Sequence, residues 1–129
     1  GGQPLPATGF AMGDVVIGII LQEAGLVPAF QPSPAQVLVT VFDEKLWMQS
    51  FALAAELRRE GLNVMVYPEP AKLPKQFKFA DRMKMKAALV IGPDEAEKGM
   101  VVVKDLSKGE QVQVKREAAV ESIKGILKA

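Results

Sequence analysis

The apolar positions of the chain fall into short blocks whose spacing alternates between two periods. Val37-Leu38-Val39-Thr40-Val41 is an almost continuous β-branched run, which predicts a strand buried on both faces. Residues Lys45 to Glu60 then place Trp47, Phe51, Ala54 and Ala55 on one stripe and Leu46, Leu53 and Leu57 on another. That spacing predicts a helix with a broad buried face, introduced by Asp43 as N-cap and closed by Gly61. Asn63 to Tyr67 is a second strand, stopped by Pro68 and Pro70, and a second helix covers Leu73 to Met83. Ala87 to Ile91 is a third strand ending at Gly92. Asp94 to Lys98 is a short helix with Asp94 and Glu97 as a cap pair and Gly99 after it. Met100–Asp105 and Glu110–Lys115 alternate as the arms of a hairpin turned by Leu106-Ser107-Lys108-Gly109. Arg116 to Lys128 is a final helix with Ala119, Val120, Ile123 and Leu127 inward.

The order is βαβαβ, then a hairpin, then a helix. Strand–helix alternation implies crossover connections and an α/β fold with a mostly parallel sheet covered on both faces. Ahead of it, Pro28 to Ala35 holds three prolines and no charge, which predicts an extended linker. The expected organisation is a short piece at 1–27, a linker at 28–35 and a domain at 36–129. The chain opens on Gly1-Gly2 rather than methionine and is expected to be part of something longer.

Composition narrows the chemistry. Of the 129 residues, 49% are apolar, enough for a real core. Cysteine and histidine are both absent, so no disulfide, cysteine nucleophile, zinc cluster or Ser-His-Asp triad exists within the chain. A reducing intracellular compartment fits. Val15 to Leu21 is too short to span a bilayer, and nothing basic precedes it as in a signal peptide. Net charge is only +1, so the distribution of charge decides about polyanionic partners.

That distribution is uneven. Lys72, Lys75, Lys78, Arg82, Lys84 and Lys86 face a single acid, Asp81, over 15 residues. Lys75, Lys78 and Arg82 are spaced to line one helix face, with Leu73, Phe77 and Ala80 opposite. Such a ridge suits a phosphate backbone, or is simply a solvated charged face. In open α/β sheets ligands meet the C-terminal strand ends, here Phe42-Asp43, Tyr67-Pro68-Glu69 and Gly92-Pro93-Asp94-Glu95. None of these is a phosphate loop: GxGxxG and GxxxxGK[ST] are absent, against a dinucleotide or NTP module. Asp94 and Glu95 suit either base edges or a helix cap, and Gln76 carries both donor and acceptor for a base edge. Trp47 and Phe51 suit base stacking, but their helical spacing points to core packing. Tyr67 is open to stacking or packing.

Three segments carry a resemblance. Lys75-Gln76-Phe77-Lys78-Phe79-Ala80-Asp81 resembles the signature helix of the anticodon-binding domain of histidyl-type class II aminoacyl-tRNA synthetases. The family more often has tyrosine at Phe79. Ile91-Gly92-Pro93-Asp94-Glu95 with Gly99 resembles that family's third-strand exit, and Val103-Lys104-Asp105-Leu106 with Gly109-Glu110-Gln111 its hairpin. The matches run in order across residues 36–129. Pro6-Ala7-Thr8-Gly9-Phe10-Ala11-Met12-Gly13 resembles the start of motif 3, a strand and helix that close the class II catalytic core. There the sequence departs from the pattern: Asp14-Val15-Val16 stands where the family places an acid and then the arginine that holds ATP phosphate. A guanidinium contact is lost with it.

The resemblance implies a three-layer α/β/α domain with a five-stranded mixed sheet, docked through the linker onto the catalytic domain of the same chain. The partner it implies is tRNA, met at its anticodon loop, with Gln76, Lys78, Glu95 and Gln111 as the foremost contact residues and Lys75 and Arg82 as phosphate contacts. For the full-length parent it implies a cytoplasmic, homodimeric, ATP- and Mg-dependent histidine–tRNA ligase. This chain alone, lacking motifs 1 and 2, is expected to hold no cofactor and no metal, to be inactive, and to meet neither membrane nor DNA. Two rivals stand beside this reading. One is a non-acylating accessory or regulatory interaction module, favoured by Val16. The other is a flavodoxin-like small-ligand domain, disfavoured by the missing phosphate loop. Residues Val15 to Leu21 are expected to leave an apolar patch exposed.

Overall fold

The computed structural model describes residues 1–27 and 33–128. The chain divides into two compact units, Gly1–Phe30 and Gln31–Ala129. Most of the proline-rich segment, residues 28–32, lies outside the described residues. Its end does not behave as a linker: Ser33 and Ala35 are buried in the second unit, and the Ser33 hydroxyl accepts the Ala35 N–H at 3.0 Å.

In the first unit residues 1–13 form no regular structure, and helix α1 spans Asp14–Glu23. The strand expected ahead of this helix is absent, because an isolated strand leaves its backbone unpaired and the unit supplies no neighbour. Helix α1 buries no side chain. Val15, Val16, Ile19 and Ile20 are all more than half exposed.

The second unit is built from strands β1 (Val37–Val39), β2 (Val64–Val66), β3 (Ala87–Val90), β4 (Met100–Asp105) and β5 (Gln111–Lys115). The helices are α2 (Trp47–Arg59), α3 (Leu73–Arg82), α4 (Pro93–Lys98) and α5 (Ala119–Lys128), the last entered through a 3-10 turn at Arg116–Ala118. The sheet order is β2-β1-β3-β4-β5. Strand β1 pairs in parallel with β2 and β3, while the β3–β4 and β4–β5 ladders are antiparallel. Four of the five strands therefore point one way, as a mixed, mostly parallel sheet should.

The period-two pleat sorts the core into two layers. Val37, Val39, Ala87, Leu89, Val101 and Val103 point to one face, where Leu53, Ala54 and Leu57 of α2 and Ala119 and Ile123 of α5 cover them. Leu38 and Ala88 point to the other, against Ala80, Phe77 and Phe79 of α3. The chain steps outward from β1 to β2, then back across β1 to β3, and the reversal accompanies the placement of α2 and α3 on opposite faces. The reversal leaves the exits of β1 and β3 side by side, the usual place for a ligand in open α/β sheets. Coverage is incomplete at one end. Gln111, Val112 and Gln113 of β5 are exposed, so the last strand is not sandwiched as expected.

Helix α2 buries Ser50, Leu53, Ala54 and Leu57, spaced three and four apart. Phe51, expected inside, falls outside this stripe and is 44% exposed, tilted against Trp47 at 6.2 Å. Trp47 is half-buried and packs on the α3-side cluster. Helix α2 ends in a Schellman turn: Gly61 takes φ +79°, its N–H meets the Arg58 carbonyl, and the Leu62 N–H meets that of Leu57. Helix α3 ends the same way, with Lys84 N–H on Asp81 and Met85 N–H on Ala80. Here the left-handed position, φ +57°, is held by a lysine. At the sheet's β2 edge, Arg58 donates two hydrogen bonds to the Val64 carbonyl, at 3.1 and 2.9 Å.

Candidate nucleic-acid interface

Helix α3 carries the basic ridge, and Gln76 seats it. The side chain is fully buried. Its Oε1 accepts the Val41 N–H at 2.9 Å, while Nε2 donates to the carbonyls of Val41 at 2.8 Å and Ala71 at 2.6 Å. The amide thus imitates a strand partner for Val41, which lies beyond the end of β1 where no ladder remains. This corrects the expectation that Gln76 reads a base edge: every polar atom is spent inside the fold. Helix spacing held the signal, since Gln76 shares its face with Leu73 and Ala80, three before and four after.

Lys75, Lys78 and Arg82 are exposed on the outer side of α3. Lys75 pairs with Glu69 at 3.0 Å, and its ammonium is held above the usual lysine range, first by that hydrogen bond and then by Tyr67 and the Glu69 charge. The helix has two different flanks. Toward β2, Tyr67 and Phe79 meet edge to face at 5.5 Å, and the Arg82 guanidinium lies 5.7 Å from the Phe79 ring centre. The ring of Tyr67 is therefore engaged in packing. Toward β4, the Lys104 ammonium sits 4.4 Å over the ring of Phe77.

Glu95 stands at the exit of β3. Its Oε2 accepts the Gly92 N–H at 3.1 Å and its Oε1 accepts Nε2 of Gln113 at 2.9 Å. Glu95, not the expected Asp94/Glu97 pair, thus closes the start of α4, because helix entry falls at Gly92 and puts Glu95 at the third position. Asp94 is exposed on the helix's first turn. Gln113, absent from the sequence expectations, shares a face with Gln111 by strand alternation and is the one brought to Glu95. Gln111 lies opposite Lys104, toward the hairpin turn, about 7 Å farther from the strand exits. It lines a separate groove of about 300 Å³ with Val112, Ser122 and Ile126. Phe42 belongs to one of the strand ends singled out from the sequence. It is 42% exposed at the exit of β1, beside Lys72 in a groove of about 570 Å³.

Among the described residues no group of acidic side chains is arranged to hold a metal, and no helix is long and apolar enough to cross a membrane. The exit of β3 offers a charged-amide pair, Glu95 with Gln113, and helix α3 offers exposed cations and half-buried rings. Carboxylates, amides, cations and aromatic rings are groups that can contact unstacked bases and phosphates.

The comparisons with known proteins agree. The chain belongs to the anticodon binding domain family, whose model matches residues 36–126. Its similar proteins are histidine–tRNA ligases: that of Pyrococcus furiosus is 35% identical over 128 residues, 99% of this chain and 29% of the relative. That of Thermotoga maritima is 39% identical over 124 residues, 95% of this chain and 29% of the relative. The crystal structure of histidyl-tRNA synthetase from Nostoc sp. PCC 7120 superposes with a TM-score of 0.77 at 35% identity, over 88% of this chain and 27% of that one. The RNA binding domain of threonyl-tRNA synthetase from Cryptosporidium parvum, at 23% identity and a TM-score of 0.66, shares the fold. The chain spans less than a third of the length of these ligases.

Proposed function

We propose that this chain recognises the anticodon loop of histidine tRNA as the C-terminal part of a histidine–tRNA ligase. The observation that carries the proposal is the Glu95–Gln113 hydrogen bond at the exit of β3, in a chain that also bears the basic helix α3 and is 35% identical to a histidine–tRNA ligase over nearly its whole length. Loop bases splayed from their stack would meet Glu95, Gln113 and Lys104, and the phosphates would follow Lys75, Lys78 and Arg82. A carboxylate accepts from exocyclic amines and an amide both donates and accepts, so the pair discriminates between base edges. In this reading the parent carries out ATP- and Mg-dependent aminoacylation in the cytoplasm as a homodimer, with its catalytic domain in the rest of the chain.

Titration of the anticodon stem-loop of histidine tRNA, and of the same stem-loop with a substituted anticodon, tests the proposal. Three phosphate contacts on single-stranded RNA give a log–log salt slope of about −2, so affinity should fall roughly 20-fold between about 50 and 200 mM salt. The substituted loop should bind more weakly at both. A second reading, a non-acylating accessory module, is favoured by Val16, which stands where a phosphate-holding arginine would be. Equal, salt-insensitive binding of both loops would support it and sink the anticodon assignment.

A further inference from the structure

The β2 flank of α3 holds a cavity of about 460 Å³ lined by Tyr67, Lys75, Lys78, Phe79, Asp81 and Arg82. It lies across the helix from Phe77 and Lys104, so the exit cluster at Glu95 does not account for it. The Tyr67 ring is packed, the residue being only 6% exposed, while its hydroxyl stays open at the surface of the cavity. Three cations line the cavity against one acid, and one of them, Lys75, is already paired with Glu69. Lys78 and Arg82 make no salt bridge among the described residues, although Arg82 lies against the ring of Phe79.

We propose that this cavity binds one nucleoside monophosphate unit, with its phosphate on Lys78, Arg82 and the Tyr67 hydroxyl and its base against the Phe79–Arg82 stack. The volume suits a small ligand of that size. Guanidinium and phenol donors converge on a dianionic or diester phosphate, and guanidinium planes and aromatic faces both accept a stacked base. The unit has two sources. It is either a nucleotide of the bound RNA lying outside the anticodon triplet, which rests on the function proposed above, or a free mononucleotide. An RNA strand crossing the crest of α3 at Lys75 and Lys78 reaches both flanks, which favours the first.

The test uses the 129-residue chain with backbone amides followed by NMR. The probes are uridine monophosphate, uridine, inorganic phosphate and the anticodon stem-loop. The expected result is that uridine monophosphate shifts the amides of Tyr67 and Lys78–Arg82, while uridine and phosphate do so far more weakly. Tyr67→Phe removes only an unpartnered hydroxyl, so it should leave thermal stability unchanged and weaken binding on the order of fivefold. Arg82→Gln should weaken it about tenfold or more. Anticodon-dependent stem-loop binding that ignores Tyr67→Phe, with no shifts from the monophosphate, would overturn the cavity assignment and leave the anticodon reading intact. No stem-loop binding, but monophosphate binding sensitive to Tyr67→Phe, would do the reverse and identify a free nucleotide as the occupant. Phosphate acting as strongly as the monophosphate would reduce the cavity to a nonspecific anion patch and overturn the proposal.

Discussion

Replacing Gln76 should damage the fold rather than base recognition. Gln76→Ala removes three hydrogen bonds and leaves the Val41 N–H, the Val41 carbonyl and the Ala71 carbonyl without their partner. A buried donor or acceptor left unpaired costs about 1–3 kcal/mol, the carbonyls toward the lower end because each has a second lone pair. The truncation also opens a cavity beneath α3. The sum is about 3–5 kcal/mol, a large share of the roughly 5–15 kcal/mol that holds a typical domain together. At about 4–8 °C per kcal/mol, the melting temperature should fall by roughly 12–40 °C. Gln76→Met nearly preserves volume while losing the bonds, and should cost about 2–4 kcal/mol. Urea denaturation of the three proteins, with stem-loop affinity measured where all are folded, separates the roles. Losses below about 0.5 kcal/mol in both variants, together with weakened RNA binding, would refute the structural assignment and restore Gln76 as a base reader.

Other expected outcomes follow from single contacts. Lys84→Gly relieves a left-handed backbone position and should stabilise the domain by roughly 0.5–1 kcal/mol, seen as a melting point a few degrees higher. Asp105 is held below the ordinary carboxylate range, first by the Ser107 hydroxyl, with burial opposing and the Lys108 and Ser107 N–H groups assisting. A lowered folded-state pKa means its stabilisation is present above the unfolded value near about 4 and is lost as pH falls through the folded value. Stability of the unmodified chain should therefore drop more steeply in acid than that of Asp105→Asn, and parallel acid limbs would contradict this. Glu95→Gln combined with Gln113→Ala should weaken the cognate stem-loop about tenfold or more and narrow the gap to the substituted loop; an unchanged gap would move base recognition elsewhere.

The elements were legible because each is written in local chemistry. The Val37–Val41 block, the Gly61 stop, the Pro68 and Pro70 breaks and the alternating hairpin all lie where the structure has them. What escaped was set by tertiary partners. Strand β1 stops pairing at Val39 although the β-branched run continues, because Gln76 replaces a neighbouring strand for Val41. Phe51 lies one position off the stripe that meets the sheet. The basic ridge was visible from spacing alone, but the division of α3 into a Tyr67 flank and a Lys104 flank depends on strand order, which no local pattern encodes. Gln111 and Gln113 are indistinguishable by alternation, and only the antiparallel register with β4 decides which one reaches the β3 exit.

The sheet's two borders are unequally defended. At β2 a guanidinium occupies the Val64 carbonyl, which leaves less of that margin open to an incoming chain. At β5, Gln111, Gln113 and Lys115 alternate with the residues bonded to β4, so their N–H and C=O groups face outward. An alternating Gln-Val-Gln-Val run is a good template for cross-chain pairing, and polyglutamine-like amides would ladder readily across it. The Lys115 charge that closes the run stands as its guard against self-templating, while Arg116 beside it is spent on the Glu56 carboxylate at 2.9 Å. The resistance of this domain to cross-chain pairing is thus expected to rest on a cationic stop at the end of its last strand.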